Sequence, residues 1–450
     1  MNKRFKYITF LCALTLLINC SFDKKTGIWD GGKEEQKRIL DLEKKQKEII
    51  DIVNVYSSEQ AQLTEIKATK IVTLTKAKKN PSWKTSNQNV QNFIGNKYFS
   101  GINKNFLKKK IGKNKYEISK IISSPLIYDN AIYLSDDAGT IFKLDQRGKL
   151  YWKKNIYKKV HKKIYKNLSL SIKNDKIYVA DNIGFIYSID LENGSLDWIK
   201  NHGTPIKSHI KVFKDRIFFI NQDNRIVCFD RNEGSLIWDV RAISSFIKSQ
   251  NFLSLAISDQ GDVFALVSSG DLIKINSSTG RVEWALNIAR TMSSIETDFF
   301  KSSAIVATKK EIIFSALSST YSFNIENGYL NWQKEISTSS TPIVDGNNIF
   351  LVSNNGYFLN LDKNSGEIIW STNTLKSLKK KKRNTKIGGF VLGSNKIYIT
   401  TNNGFIIVCS ANSGVVESFK KIGGEFFAAP IIANGSLYLL ADKPTILGFN

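Results

Sequence analysis

Histidine and cysteine are scarce in this chain, and this scarcity limits the chemistry that the protein can perform. The 450 residues include three histidines and four cysteines. His161, His202 and His209 do not have the spacing of metal ligands. The sequence also lacks a glycine-rich phosphate-binding loop and a serine-hydrolase elbow. We therefore predict no catalytic residue and no metal site.

The sequence has no apolar run long enough to span a bilayer comfortably. Three basic residues near the N-terminus are followed by a short apolar run, residues 7–18, and by Cys20. This arrangement resembles a bacterial lipoprotein signal peptide at residues 1–19, in which Cys20 becomes the lipidated first residue. Asn19 departs from the small residue that usually precedes such a cysteine, so ordinary secretion and an uncleaved anchor are alternatives. Ser21 fits a lipoprotein on the periplasmic face of the outer membrane.

Residues 20–79 differ in composition from the rest of the chain. Charges of both signs surround irregularly spaced apolar residues from Ile39 to Val53. Such a composition predicts a partly ordered tether with a possible short amphipathic helix. A helix that binds a partner is the alternative.

Acidic residues are too few to balance the basic ones, and the formal net charge is +25. A large positive charge suggests nucleic acid or an anionic membrane as a partner. The lysines are spread over the whole chain, however, and no nucleic-acid-binding motif occurs. We therefore predict no nucleic-acid partner. The basic run 379–383 is interpreted as a solvated loop, with contact to anionic lipid as the alternative.

One pattern recurs along most of the chain. An alternating apolar strand leads to an Asn-, Asp- or Ser-rich turn, then to Gly, and to an aromatic residue that usually lies four residues later. The copy at residues 184–198, GFIYSIDLENGSLDW, is the clearest. A repeat of this length predicts a propeller or a solenoid. The tryptophans that mark the repeat are Trp152, Trp198, Trp238, Trp284, Trp332 and Trp370.

Each copy consists of two short strands, one on either side of the turn, and an inner strand such as SPLIYDN and another apolar strand precede it, which gives four short strands per repeat. This arrangement predicts an all-β, eight-bladed β-propeller over residues 80–450. The last copy stops at Asn450 with three strands, and Asn80–Trp83 matches the missing turn and outer strand. We therefore expect Trp83 to complete the last blade, and the repeated tryptophans to pack between blades.

Cys228 and Cys409 lie on corresponding strands of blades on opposite sides of the predicted ring. A disulfide requires Cα atoms within about 7 Å. We therefore expect both cysteines to be buried and free.

The repeat resembles the pyrroloquinoline-quinone (PQQ)-type propeller family. The matching elements are the motif Gly-x-Ile-x-x-Leu-Asp, the turn glycine and the tryptophan four residues later, over residues 80–450. The family includes quinoprotein dehydrogenases, which hold the quinone with Ca²⁺ and often have adjacent cysteines. This chain has no adjacent cysteines. The closer resemblance is to the lipoprotein propellers of the outer-membrane β-barrel assembly machinery, which implies a non-catalytic scaffold without a cofactor.

This resemblance also implies partners. The family docks on periplasmic domains of the barrel-assembling subunit and is thought to help deliver nascent outer-membrane proteins. The corresponding loops here contain Phe246, Ile247 and Lys248 in one blade and Glu296 and Asp298 in the next. We expect these five residues to contact the barrel-assembling subunit.

Two alternatives stay open on the sequence. The chain could be a PQQ-dependent periplasmic dehydrogenase, or another periplasmic propeller that binds a protein or a ligand at its central channel. The predicted inner strands consist of small and apolar residues, which favours packing over ligand binding.

Overall fold

The computed structural model describes residues 63–68, 70–112, 123–242, 252–289, 301–376, 378, 385–442 and 444–450. These residues belong to a unit that extends from Leu63 to Asn450. Eight four-stranded antiparallel sheets form the blades of a β-propeller. The prediction of an all-β, eight-bladed propeller with four strands per blade is confirmed.

The strands of blades 1 to 4 follow the chain in order. Blade 1 contains β2 (Leu126–Tyr128), β3 (Ala131–Ser135), β4 (Thr140–Asp145) and β5 (Leu150–Asn155). Blade 2 contains β6 (Leu168–Lys173), β7 (Lys176–Asp181), β8 (Phe185–Asp190) and β9 (Leu196–Asn201). Blade 3 contains β10 (Lys211–Phe213), β11 (Arg216–Ile220), β12 (Arg225–Asp230) and β13 (Leu236–Arg241). Blade 4 contains β14 (Ser254–Ile257), β15 (Asp262–Leu266), β16 (Asp271–Asn276) and β17 (Val282–Asn287).

The second half of the ring repeats this order until the last blade. Blade 5 contains β18 (Val306–Ala307), β19 (Glu311–Ala316), β20 (Ser319–Asn324) and β21 (Leu330–Lys334). Blade 6 contains β22 (Ile343–Asp345), β23 (Asn348–Val352), β24 (Tyr357–Asp362) and β25 (Ile368–Asn373). Blade 7 contains β26 (Ile387–Gly393), β27 (Lys396–Thr401), β28 (Phe405–Ser410) and β29 (Val416–Lys421). Blade 8 contains β30 (Ile431–Ala433), β31 (Ser436–Ala441), β32 (Thr445–Phe449) and, as its outer strand, β1 (Asn105–Lys110). A short 3-10 helix, Lys159–His161, lies between blades 1 and 2.

The outer strand of blade 8 comes from an earlier part of the chain than the other three. β1 pairs with β32, with Asn105 opposite Phe449 and Lys110 opposite Thr445. The prediction that Trp83 supplies this strand is wrong, because Trp83 pairs with Ile127 on the inner strand of blade 1. Asn80–Trp83 resembles the end of a blade turn in sequence only. β1 has Leu107 at the register position that holds Trp in the outer strands of blades 1 to 6.

Glycine and tryptophan of the repeat meet between neighbouring blades. At Gly194, which has a φ of 73°, an added Cβ would lie 2.8 Å from Cδ2 of Trp152 in the preceding blade. The same contact recurs at five further seams. The pairs are Gly234 with Trp198, Gly280 with Trp238, Gly328 with Trp284, Gly366 with Trp332, and Gly414 with Trp370. The glycine therefore serves both the turn and the close approach of the next blade.

Residues 80–103, called the inner segment below, run past the inner strands of all the blades. Asn80 Nδ2 donates to the carbonyl of Ile432 in blade 8, and Trp83 pairs with Ile127 in blade 1. Further along the segment, Asn92 Nδ2 donates to the carbonyls of Leu255 in blade 4 and Ile305 in blade 5. The remaining contacts are Thr85 with Ser171 in blade 2, Lys211 of blade 3 with Asn92, Asn96 with Asp345 in blade 6, and Lys97 with Gly393 in blade 7.

Residues before the inner segment also contact the propeller. Ile66 and Ser371 exchange two backbone hydrogen bonds at the outer edge of blade 6, and Thr75 donates to the carboxylate of Asp345. The described unit therefore begins before residue 80, within the predicted tether. The signal peptide 1–19 and Cys20 lie outside the described residues.

The two cysteines in blades 3 and 7 are buried and free, as predicted. Burial raises the pKa of each thiol, Cys228 and Cys409, to about 12. A thiol with this pKa is protonated at neutral pH and has little reactivity.

Candidate partner-binding face and central cavity

The described ends of the connections between successive blades lie at the end of the ring opposite to the inner segment. Each connection joins an outer strand to the inner strand of the next blade, and we call this end of the ring the connection face. The described ends surround a central cavity of about 390 Å³. Ser86, Asn87, Asn92 and Ile94 of the inner segment form the other boundary of this cavity. The cavity therefore opens toward the connection face and is closed by the inner segment.

The lining of the cavity is polar but poor in charge. Its described residues are mostly Ser, Asn, Gly, Ala and apolar side chains, and they include no Asp, Glu or Cys. The charged or titratable residues among them are Lys211 and His209. The lining therefore offers no carboxylate that could act as a general base or as a metal ligand.

Lys211 ties blade 3 to the inner segment. Its Nζ atom donates to the backbone carbonyls of Ser86 and Asn89, both at 2.8 Å, and to Oδ1 of Asn92 at 2.6 Å. Burial lowers the pKa of Lys211 to about 7. Because Nζ is surrounded by three acceptors of the inner segment, its N–H groups are already used and the side chain has a structural role.

The three histidines have different partners in the structure. His209 packs against Phe252, with a ring-centroid distance of 4.4 Å. Burial, followed by the nearby Lys211, lowers the pKa of His209, so its imidazole is neutral at pH 7. His202 contacts Nδ2 of Asn221 at 3.0 Å, and His161 packs on Phe185. Among the described residues, no cluster of His, Cys, Asp and Glu could hold a metal ion.

The five residues predicted to contact a partner lie outside the described residues. They belong to two segments, 243–251 and 290–300, whose described ends are on the connection face. The Leu253 N–H donates to the carbonyl of Lys207, and the Ile288 N–H donates to that of Gly270. Phe252 and Ser302, at the far ends of the two segments, both line the central cavity. The fold thus brings the ends of both segments to one side of the ring, in adjacent blades.

A buried polar cluster joins the connection between blades 1 and 2 to the end of β7, and the sequence does not predict it. The Tyr157 hydroxyl donates to Asp181 Oδ2 at 2.5 Å, and Asp181 Oδ1 accepts the N–H groups of Gly184 and Phe185, both at 2.8 Å. Burial raises the pKa of Asp181 above its usual range. Asp181 begins an Asp-Asn-Ile-Gly turn, and its sequence context shows only this turn-forming role.

The propeller resembles known proteins in both sequence and structure. Residues 106–251 and 137–372 match the repeat family described as outer membrane protein assembly factor BamB. The chain belongs to this family. A relative is the outer membrane protein assembly factor BamB of Moranella endobia, which is 24% identical over an alignment of 233 residues that covers 46% of this chain. The chain spans 57% of that relative's length.

Solved structures share the fold at low sequence identity. The crystal structure of BamB from Moraxella catarrhalis matches 76% of this chain and 99% of its own, with a TM-score of 0.62 and 12% identity. A quinohemoprotein alcohol dehydrogenase from Pseudomonas putida matches 82% of this chain and 80% of its own, with a TM-score of 0.62 and 11% identity. Identities this low establish the propeller fold only. Within the described residues, no helix is long and apolar enough to cross a membrane.

Proposed function

We propose that this chain is a non-catalytic scaffold of the machinery that assembles β-barrel proteins in the outer membrane. The family match carries this proposal. Most of the propeller repeats match a family that is described as outer membrane protein assembly factor BamB. The composition of the cavity supports a role without catalysis. In this proposal the protein is anchored through lipidated Cys20 on the periplasmic face of the outer membrane.

The proposed docking site is the connection face at blades 3 to 5. Phe246, Ile247 and Lys248 of one segment and Glu296 and Asp298 of the other would contact periplasmic domains of the barrel-assembling subunit. The position of the described ends supports this assignment, because both segments leave and rejoin the ring on the same face. Opposite charges in the two segments also suit a partner that presents both signs.

Nascent outer-membrane proteins are the second class of proposed partner. An unfolded strand could add to the outer edge of a blade through backbone hydrogen bonds. The outer strands β13 and β17 lead directly into the two proposed docking segments. Blade 6 is less suited to such addition, because Ile66 already bonds to Ser371 on its outer strand.

A charge-reversal experiment tests the docking assignment. The double variant Lys248→Glu, Asp298→Lys of the full-length chain should lose co-purification of the barrel-assembling subunit from envelope membranes. The matched control, Lys309→Glu with Asp175→Lys, changes one exposed residue of each sign away from the connection face and should retain it. Intact mass of the mature protein should show a triacylated Cys20. Equal recovery of the subunit with both variants contradicts the docking assignment, and no recovery with the unmodified chain contradicts the function.

The dehydrogenase alternative is supported by likeness of fold alone. A PQQ cofactor carries several carboxylates and is held with Ca²⁺, which requires cationic donors and carboxylate ligands. The described lining of the central cavity offers one lysine with its donors already used, and no carboxylate. The residues therefore do not fit this cofactor. Binding of added PQQ at micromolar concentration, followed by fluorescence, would contradict this conclusion.

A further inference from the structure

A large share of the positive charge is concentrated at one seam of the ring. Residues 104–112 and 143–166, called the basic seam below, contain fourteen Lys and Arg residues and one acidic residue, Asp145. The two stretches are separated in sequence but meet where β1 closes blade 8 against blade 1. An added Cβ at Gly148 would lie 3.0 Å from Leu107 Cδ1 and 3.1 Å from Lys109 Cβ.

A groove of about 540 Å³ lies along this seam. In β1, Leu107 stands at the position that holds the indole in the first six blades. Apolar residues such as Ile111, Phe142 and Leu144 lie beside five cations in the lining of the groove, and no acidic residue is among the lining residues. The five cations are Lys109, Lys110, Arg147, Lys149 and Lys153.

These cations are not neutralised within the described part of the chain. The ion pairs at other blades join Lys or Arg to a carboxylate, as in Lys176 with Asp197 and Arg225 with Asp239. No such ion pair among the described residues involves the five cations of the groove. Their positive potential is therefore directed to the solvent, where it attracts anions.

The connection after β5 extends the basic seam and carries exposed apolar side chains. Val160 is 76% exposed and Ile164 is 44% exposed, and they lie among Lys158, Lys159 and Lys163. Buried Lys166 fixes the conformation of this loop, because its Nζ donates to the carbonyls of His161 and Ile164. A loop fixed in this way loses little conformational entropy when it binds.

We propose that the basic seam binds the surface of an anionic phospholipid membrane. Lysine clusters are attracted to anionic headgroups, and exposed aliphatic side chains among them can enter the boundary between headgroups and acyl chains. The seam contains thirteen lysines and one arginine. Protein interfaces are depleted in lysine and enriched in arginine, and specific recognition of nucleic acid also favours arginine. This composition therefore favours a membrane over an acidic protein or a nucleic acid. The proposal does not depend on the function proposed above.

Vesicle sedimentation with the full-length protein tests this proposal. Binding to vesicles of phosphatidylcholine mixed with phosphatidylglycerol should exceed binding to phosphatidylcholine alone, and the excess should fall steeply with salt. The variant Lys158→Gln, Lys159→Gln, Lys163→Gln should reduce the excess on the order of a hundredfold, because each lysine contributes roughly fivefold. Val160→Ser should reduce the part that persists at high salt.

The matched control is Lys200→Gln, Lys309→Gln, Lys386→Gln, which removes the same charge from exposed positions on blades 2, 5 and 7. It should retain anionic vesicle binding within about twofold. Equal loss in both triple variants would show attraction by net charge only and would overturn the assignment to the seam. Binding to soluble polyglutamate or to DNA with no preference for anionic over neutral vesicles would also overturn the proposal, in favour of an acidic macromolecule.

Discussion

At the scale of single residues, the repeat is maintained by a close approach of glycine to tryptophan. Gly366 has a φ of 69°, and an added Cβ would lie 2.6 Å from Cδ2 of Trp332. The indole cannot move easily, because it is 7% exposed and its Nε1 atom donates to the carbonyl of Lys363 at 2.8 Å. The glycine is therefore required by both its backbone conformation and its neighbour.

We predict that Gly366→Ala destabilises the propeller more than Gly203→Ala does. Both glycines have a positive φ, but an added Cβ at Gly203 would meet nothing within 4 Å. Backbone strain of roughly 1–2 kcal/mol should be common to both variants. The clash with Trp332 should add about 1–3 kcal/mol to the loss of unfolding free energy in Gly366→Ala. Urea unfolding measures the difference, and equal losses would show that the seam has room for a methyl group.

At the scale of elements, the inner segment is held by hydrogen bonds to every part of the ring. The sequence does not reveal this role, because the segment has no repeat motif and no regular alternation. The Asn-Pro-Ser-Trp context of Trp83 resembles the end of a blade turn, and it therefore predicts a place for Trp83 in the last blade. β1 was not recognised because NFLKKK lacks both the turn glycine and the tryptophan.

We predict that Lys211→Met loosens the inner segment from blade 3. The substitution leaves the carbonyls of Ser86 and Asn89 and Oδ1 of Asn92 without the buried donor. Leaving buried acceptors unpaired should cost about 2–4 kcal/mol of unfolding free energy. The control Lys214→Met changes an exposed lysine of the same blade and should stay within about 0.5 kcal/mol. An unchanged midpoint in Lys211→Met would show that water or other donors replace the ammonium group.

At the scale of the whole molecule, the strand pattern predicts the propeller well and its surfaces poorly. Alternating strands, turn residues and repeated tryptophans carry enough local information to specify four strands per blade and eight blades. The basic seam depends on ring closure, which brings residues 104–112 beside residues 143–166. The sequence shows the basic stretch 143–166, but it does not show that residues 104–112 lie beside it. The central cavity was likewise interpreted only as packing, because its boundary comes from the inner segment.

For the candidate docking site, too, the sequence and the fold supply different parts of the assignment. The resemblance in sequence indicates which residues to examine, and the fold supplies the side of the ring on which their segments begin and end. Arg241 precedes the first segment and Lys301 follows the second, and both side chains are exposed. Asn193 and Asn232 lie in exposed turns at the opposite end of the ring. Probes at positions 241 and 301 therefore report on the connection face, and probes at positions 193 and 232 report on the opposite end of the ring.

Site-specific photo-crosslinking in cells tests the central claim most directly. A photoreactive amino acid at position 241 or 301 should crosslink the full-length protein to the barrel-assembling subunit of the outer membrane. The same amino acid at position 193 or 232 should give no such product. Crosslinks from the turn positions alone would place the partner on the wrong face, and the absence of the subunit from all four products would contradict the assembly function.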